Sequence, residues 1–326
     1  MCAAVRTEAA AAEPRSRTEL VLRRQAPWVR ARRGLGPYLL VAPAVIVLVA
    51  VLGYPLWTLA SLSLQHFGLK ELIAHEGRFV GLANYTSIFS DPVFWTVVLR
   101  SVAFTVVAVG LTMLLATLIA LLLGHVSRPL QVLLTSGLVF IWAIPPVVAV
   151  DIWQWMFDFE FGVVNWALTA LGAGHFIHHN WFALPLEGFT VITLLVVWGA
   201  IPFVSITLFA ALAQIPRELV DSAQVDGANG WQVFWSVTTP ILKPIFLILI
   251  SLSIIWDFQV FTQIWVMLNS RPGSGYFTMA VYSFFESFRI TQYGLGSAIS
   301  VVTVLALLVV TFFYVRQMVR IVEAPL

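Results

Sequence analysis

The sequence predicts an all-α protein that crosses a membrane six times, and three observations predict it. Hydrophobic residues make up 60% of the chain and charged ones only 10%, against about 25% charged in an ordinary soluble domain. Six apolar runs, roughly 37–61, 94–123, 133–157, 189–212, 245–268 and 295–314, are each near or above the twenty or so residues that a spanning helix needs. Lys and Arg are shared unequally between the segments that join these runs.

Residues 1–36 are rich in Ala, Glu and Arg, without apolar periodicity, and are expected to form a separate N-terminal segment with little order of its own. Its eight arginines read as a positive-inside anchor, so no nucleic-acid partner is expected. The first run is too long for the core of a cleavable signal peptide. With the N-terminus inside, the inner segments carry these eight arginines plus Arg128, Arg217, Lys243, Arg316 and Arg320. The outer segments carry only Lys70, Arg78, Arg271 and Arg289, and Arg100 falls just inside the second run. Thirteen basic residues against four place both termini, and the loop at 215–244, in the cytoplasm. Sixteen arginines against two lysines suggest a GC-rich bacterial genome, and hence a bacterial plasma (inner) membrane. The single cysteine, Cys2, excludes an intrachain disulfide framework or a cysteine-based metal cluster.

The outer loop between the third and fourth runs is expected to carry a short amphipathic helix over 165–171, followed by His175, His178 and His179. Histidines are common metal ligands. No carboxylate or cysteine stands beside them at a ligand spacing, so an exposed loop without metal is expected.

The stretch 215–244 is too polar for the membrane and too long for a simple return. It carries Arg217, Glu218, Asp221, Asp226 and Lys243 between two spanning runs. Pro216 suits a first helical turn, and Glu218 falls near the positive end of the helix dipole. Leu219, Val220 and Ala223 recur at helical spacing, while Asp221, Gln224 and Asp226 stay polar. Asp226-Gly227 and Asn229-Gly230 read as turn pairs. Trp231, Val233, Phe234 and Val237 open a second amphipathic stretch, expected to end before Pro240 and Pro244. The residues alone leave two readings, a docking knob for a partner or a plain interfacial hairpin.

This stretch resembles the EAA loop of importer permeases driven by ATP-binding cassettes. The family pattern is Glu-Ala-Ala, three residues, Gly, nine residues, Ile, one residue, Leu-Pro. Here those positions read Asp221-Ser222-Ala223, Gly227, Val237, Thr239 and Pro240. Asp221, Ser222 and Thr239 depart from the usual residues, whereas Ala223, Gly227 and Pro240 keep type and spacing. Ile215-Pro216, Val225 through Ala228, and Phe79 through Tyr85 are similar to the carbohydrate branch, which includes maltose, glycerol-phosphate and oligosaccharide permeases. The resemblance covers the chain from about Pro37 to its end and implies the six-helix permease domain of a type I importer. It also implies that Glu218, Asp221, Ser222, Ala223, Asp226, Gly227 and Pro240 couple the chain to an ATPase.

Ionisable residues inside a membrane are costly and normally face a cavity or a partner. Asp151 lies in the third run and Asp257 in the fifth. Ser253, Trp256, Asp257 and Val260 share one helical face by spacing. A ring with a carboxylate and a hydroxyl suits a sugar, whose C–H face packs on aromatics and whose hydroxyls need polar partners. Polar adhesion between helices is the plainer alternative for Asp257. The resemblance to maltose-type permeases, carried by the fifth run and by Asn269 through Pro272, puts sugar contacts on Ser253, Trp256, Asp257 and Val260. It adds Ala200 and Phe203 from the fourth run, where Pro202 is expected to break or kink the helix at a cavity. Val260 replaces a polar residue of the maltose case, so maltose itself is not implied.

The resemblance further implies a second homologous permease subunit, two ATPase subunits that bind ATP and Mg, and an extracytoplasmic sugar-binding (lipo)protein. This chain has no Gly-x-x-x-x-Gly-Lys-Ser/Thr loop, so no ATP site, cofactor or catalytic group of its own is expected. The function implied is import of a sugar, a di- or oligosaccharide, by alternating access. Two alternatives stay open: a proton- or sodium-coupled carrier using Asp151 and Asp257, and a polyol or glycerol-phosphate importer using Arg100, Arg271 or Arg289.

Overall fold

The computed structural model describes residues 27–323, with side chains described from 38 to 320. The expected N-terminal segment therefore lies, up to residue 26, outside the described residues. The chain divides into two compact units, Met1–Thr58 and Leu59–Leu326. Within the first, α1 (Pro27–Ser63) starts ten residues before the expected boundary and ends in the second unit. Its apolar part, Leu40–Ser63, is long enough to cross a membrane.

A short outer region follows α1. Strands β1 (Gln65–His66) and β2 (Arg78–Phe79) pair antiparallel around α2 (Leu69–Ala74), and α3 (Ala83–Ser90) comes next. The phrase Phe79 through Tyr85 does structural work here. The Asn84 amide donates to the carbonyls of Ser63 and Gln65 at 2.8 and 2.9 Å, closing the end of α1. The Tyr85 hydroxyl donates to Ser63 Oγ at 2.8 Å.

The second unit is built on two long apolar helices, α4 (Pro92–His125) and, further on, α8 (Pro185–Leu212). Both start with proline in the first turn, where its missing N–H has no partner to lose. Asp91 caps α4 by accepting from the Val93 N–H. Along α4, Ala108, Thr112, Ala116 and Ala120 recur every four residues and are fully buried. Such a small-residue stripe lets helix backbones approach closely in a membrane, where packing rather than water expulsion holds helices together. Ala116 and Ala120 pack with Val204 and Leu208 of α8.

The third apolar run is not one straight helix. It forms α5 (Arg128–Trp142) and α6 (Pro146–Met156), bent by 97°. Pro145 disfavours helical backbone at Ile144 and Pro146 supplies no N–H, so the first helix stops and a second starts with proline at its first position. The result is five candidate spans among the described residues, six if the bent pair counts as one. An outer helix, α7 (Val163–Ala170), stands close to its expected place. Asn165 organises it: its amide donates to the carbonyls of Asp158 and His179, and its oxygen accepts from Trp181 Nε1 at 2.6 Å.

The fifth run also departs from expectation. After α9 (Arg217–Val225) and α10 (Gly230–Val233), a π turn over Phe234–Thr238 leads without interruption into α11 (Thr239–Phe258). Pro240 and Pro244 therefore lie inside one continuous helical stretch, Gly230–Phe258, rather than marking its end. In the π turn the Thr239 N–H reaches back to the Phe234 carbonyl, five residues away. This wider turn carries the chain past the donor that Pro240 lacks. At the other end α11 stops at Phe258, ten residues before the end of the expected run, and α12 (Thr262–Met267) restarts after a break. Helix α13 (Met279–Phe284), a second π turn over Phe285–Arg289, and the last span α14 (Tyr293–Glu323) complete the fold.

Candidate functional site

Two places gather the residues singled out in the sequence. The first is the polar stretch between α8 and α11. Helix α9 begins after Pro216, with Glu218 in its first turn. It ends on a left-handed Gly227 at φ +88°, where the Ala228 N–H returns to the Ala223 carbonyl at 2.9 Å. That backbone suits glycine and strains any other residue. The second pair, Asn229-Gly230, is not a turn of this kind. Asn229 is the N-cap of α10, its Oδ1 accepting from the Gln232 N–H at 2.9 Å while Gln232 Oε1 accepts from the Asn229 N–H at 2.8 Å. Glu218, Asp221, Ser222, Asp226, Gly227 and Pro240 are exposed, and Ala223 is half-buried. Leu219, Val225 and Trp231 add exposed apolar surface. A capped helix and a tight turn thus hold charged and apolar groups side by side on an open surface.

The second place is a cavity of about 320 Å³ where α5, α6, α8 and the end of α11 meet. Five expected residues line it: Ala200, Phe203, Trp256, Asp257 and Val260. Ser253 does not. It is buried one turn back on α11, away from the lining. Val260 reaches the cavity from the break after α11 and not from the helical face, its N–H donating to the Asp257 carbonyl at 3.3 Å. Pro202 does not break α8, which runs through it. Its missing N–H instead leaves the carbonyl of Trp198, four residues back, without the usual helical partner, and Trp198 is itself on the lining.

Rings form one wall. Phe203 meets Trp256 edge to face at 5.5 Å and stacks with Trp142 at 6.3 Å. Asp257 is 5% exposed, and its Oδ2 has no hydrogen-bond partner among the described residues. A buried carboxylate oxygen without a donor is costly unless something supplies one. The cavity therefore has an aromatic face with a carboxylate residue in its wall, whose unpartnered oxygen is itself buried.

Sequence reasoning did not single out Trp142, Pro146 and Gln263, which also line the cavity. The signal for the first two was the Trp142-Ala143-Ile144-Pro145-Pro146 string, whose prolines bend the run and expose its inner turn. Asp151 lies apart from Asp257: it is exposed on α6. Of the three arginines considered for a phosphate ester, Arg100, Arg271 and Arg289, two are engaged with backbone. Arg100 donates to the carbonyls of Ser274 and Phe277, both at 2.9 Å, and Arg289 donates to Ser270 O at 2.7 Å while lying over the Trp265 ring. Of the three histidines, His179 pairs with Glu187 at 3.0 Å. No group of three or more His, Cys, Asp or Glu is placed to hold a metal among the described residues.

Long apolar helices, a proline-bearing span beside an aromatic cavity that holds one carboxylate, and a structured polar loop fit a multi-pass membrane transport component. Residues 116–323 match the family described as binding-protein-dependent transport system inner membrane component. The diacetylchitobiose uptake system permease protein DasB of Streptomyces coelicolor is 40% identical over 282 residues, 86% of each chain. The trehalose/maltose transport system permease protein MalF of Thermococcus litoralis is 31% identical over 279 residues, 86% of this chain and 92% of that one. A chain from the crystal structure of a bacterial alginate ABC transporter, in complex with alginate pentasaccharide-bound periplasmic protein, shares the fold. Its TM-score is 0.73 at 19% identity, covering 93% of this chain and all of the other. The chain belongs to the binding-protein-dependent transport system inner membrane component family, and the resemblance to importer permeases holds.

Proposed function

We propose that this chain is one of two permease subunits of an ATP-driven sugar importer, with the sugar path at the Asp257 cavity and the ATPase joint at 215–244. One observation carries the reading. The unbroken helical stretch Gly230–Phe258 has the exposed loop at one end and Trp256 and Asp257 at the other. Over 29 residues it spans roughly 40 Å. A rigid helix of that length moves its far end when its near end is moved, so closure of an ATPase pair on α9 would rotate Trp256 and Asp257 about the cavity.

In this reading Glu218, Asp221, Ser222, Ala223, Asp226, Gly227 and Pro240 form the coupling joint, and ATP and Mg belong to two separate ATPase subunits. Ala200, Phe203, Trp256, Asp257 and Val260 face the sugar, and a second permease closes the other side of the path. An extracytoplasmic binding protein delivers the sugar. The unequal distribution of Lys and Arg supports a cytoplasmic position for the loop and both termini. The names of the relatives support a di- or oligosaccharide, including an N-acetylated one, whose amide N–H suits the free Asp257 oxygen.

The test is ATP-driven uptake of labelled di- and oligosaccharides by the reconstituted complex carrying Asp221→Lys or Gly227→Pro. Proline cannot adopt the positive φ of Gly227. Both variants should insert normally, lose uptake and release the ATPase. Uptake that persists without ATPase, or follows a proton gradient, would overturn the reading.

A further inference from the structure

A cavity larger than the Asp257 one lies elsewhere. It is a cleft of about 810 Å³ between α4 and the stretch from Gly230 into α11. One wall is the π turn, presenting Phe234 and Trp235. The other is the side of α4 around Met113 and Leu118. Nearly all of the lining is hydrocarbon, and Lys243 is its only charged residue among the described residues. Trp231 and Trp235 are both more than half exposed beside it. In the wall, Thr239 Oγ1 is buried without a hydrogen-bond partner among the described residues.

The order of these groups along the stretch is that of a bilayer's edge. Trp231 and Trp235 come first, on the loop side of the stretch. Lys243 stands where the apolar run begins, about 12 Å further along the helix than Trp235, at the depth where a basic side chain meets headgroups, and Phe246 and Leu247 lie deeper. A partner helix filling this cleft would need an anionic side chain within an apolar layer, which is costly. A phospholipid brings its negative charge at headgroup depth and hydrocarbon below it.

We propose that this cleft is a binding site for an anionic phospholipid, with its phosphate on Lys243 and an acyl chain against Met113, Leu118 and Phe246. The assignment to the cytoplasmic leaflet rests on the orientation proposed above. The lipid is wedged where the π turn joins the 215–244 loop to α11, so its presence stiffens that joint and its loss uncouples the loop from the cavity.

The experiment uses the whole importer complex in nanodiscs of phosphatidylglycerol or phosphatidylcholine, with retained lipids counted by native mass spectrometry. Wild type should retain phosphatidylglycerol preferentially. Lys243→Gln should weaken that retention about fivefold, the order expected for one basic residue near an anionic surface. Leu118→Trp, which fills the cleft from α4 and changes no charge, should also abolish the preference while the complex stays assembled. Equal retention of the two lipids, or a preference that survives both variants, overturns the proposal. So does a Leu118→Cys complex that cross-links to the partner permease in preference to a photoactivatable phosphatidylglycerol. Lipid retention does not depend on what is transported: if the sugar reading fails, uptake is absent in every lipid while the preference remains.

Discussion

Phe203 and Trp256 meet edge to face, with ring centroids 5.5 Å apart, and join the proline-bearing α8 to the last turn of α11. The pair stands next to Asp257, which lines the same cavity and has one buried carboxylate oxygen without a partner among the described residues. Helix adhesion and substrate contact make different predictions for these residues. Asp257→Asn should raise the sugar concentration for half-maximal uptake by roughly tenfold or more, the range expected for losing a hydrogen bond to a charged group, and Trp256→Ala by a few-fold to roughly tenfold, the range for losing an aromatic contact. Assembly and melting temperature should hold, because Asn is isosteric with Asp and Trp256 is half-exposed. Loss of assembly with unchanged affinity would assign the pair to adhesion.

How much of this was legible in the sequence depends on what interrupts a helix. Spanning runs are plain because each needs about twenty apolar residues in a row. The break in the third run was written in Pro145-Pro146, and length alone concealed it. The break after α11 has no such mark: Gln259-Val260-Phe261 contains neither glycine nor proline. Its position follows from tertiary packing, with Val260 and Ile264 buried among residues of α4, α8 and α13. Conversely, Pro202, Pro240 and Pro244 looked like stops and are not, since neighbouring helices and a π turn tolerate them. For the cavity, Ala200, Phe203, Trp256, Asp257 and Val260 came from spacing and resemblance. Trp142 was missed with the 97° bend that brings α5 to that wall, although Pro145-Pro146 marks that bend in the sequence.

Gly188 of α8 is predicted to be intolerant of even one methyl group. A Cβ there would collide with the hydroxyl of Tyr276 and lie 2.6 Å from its ring Cε1. That hydroxyl donates to the carbonyls of Phe182 and Leu184 at 2.9 and 3.1 Å, so it has little freedom to move. Gly188→Ala should destabilise the detergent-solubilised chain by about 1–3 kcal/mol, the usual cost of overpacking. Adding Tyr276→Phe should recover part of the loss. A melting temperature unchanged in the single variant would contradict the contact.

The turn after α12 holds two successive non-glycine residues in left-handed backbone, Asn269 at φ 53° and Ser270 at φ 59°. Asn adopts this conformation readily, and Gln154 secures it by donating to Asn269 Oδ1 at 3.0 Å. Ser270 has no such side-chain partner: only its backbone is used, its N–H donating to the Trp265 carbonyl at 2.8 Å and its carbonyl accepting from Arg289. Ser270→Gly should therefore stabilise the chain by about 0.5–1 kcal/mol, the left-handed penalty less the entropy glycine loses on folding. Asn269→Ala should destabilise it. Thermal unfolding of the two variants side by side tests both signs.

The π turn before α14 carries a half-buried carboxylate whose titration should be visible in stability. Glu286, in the π turn before α14, has its pKa raised, first by burial and then by the nearby Asp91 carboxylate. The Tyr282 hydroxyl also faces Asp91, at 3.4 Å from Oδ2. A raised native pKa means that the folded chain holds this proton at pH values where the unfolded chain has lost it. Stability from this group is therefore greatest in acid and falls as pH rises from the ordinary carboxylate value through the raised native one. Glu286→Gln keeps the shape and removes the titration. Its melting temperature should match that of wild type at acid pH and exceed it above the window, so the difference opens as pH increases. A gap that widens towards acid instead would mean that Glu286 is held ionised by a favourable partner, and would overturn the assignment of burial as the dominant cause.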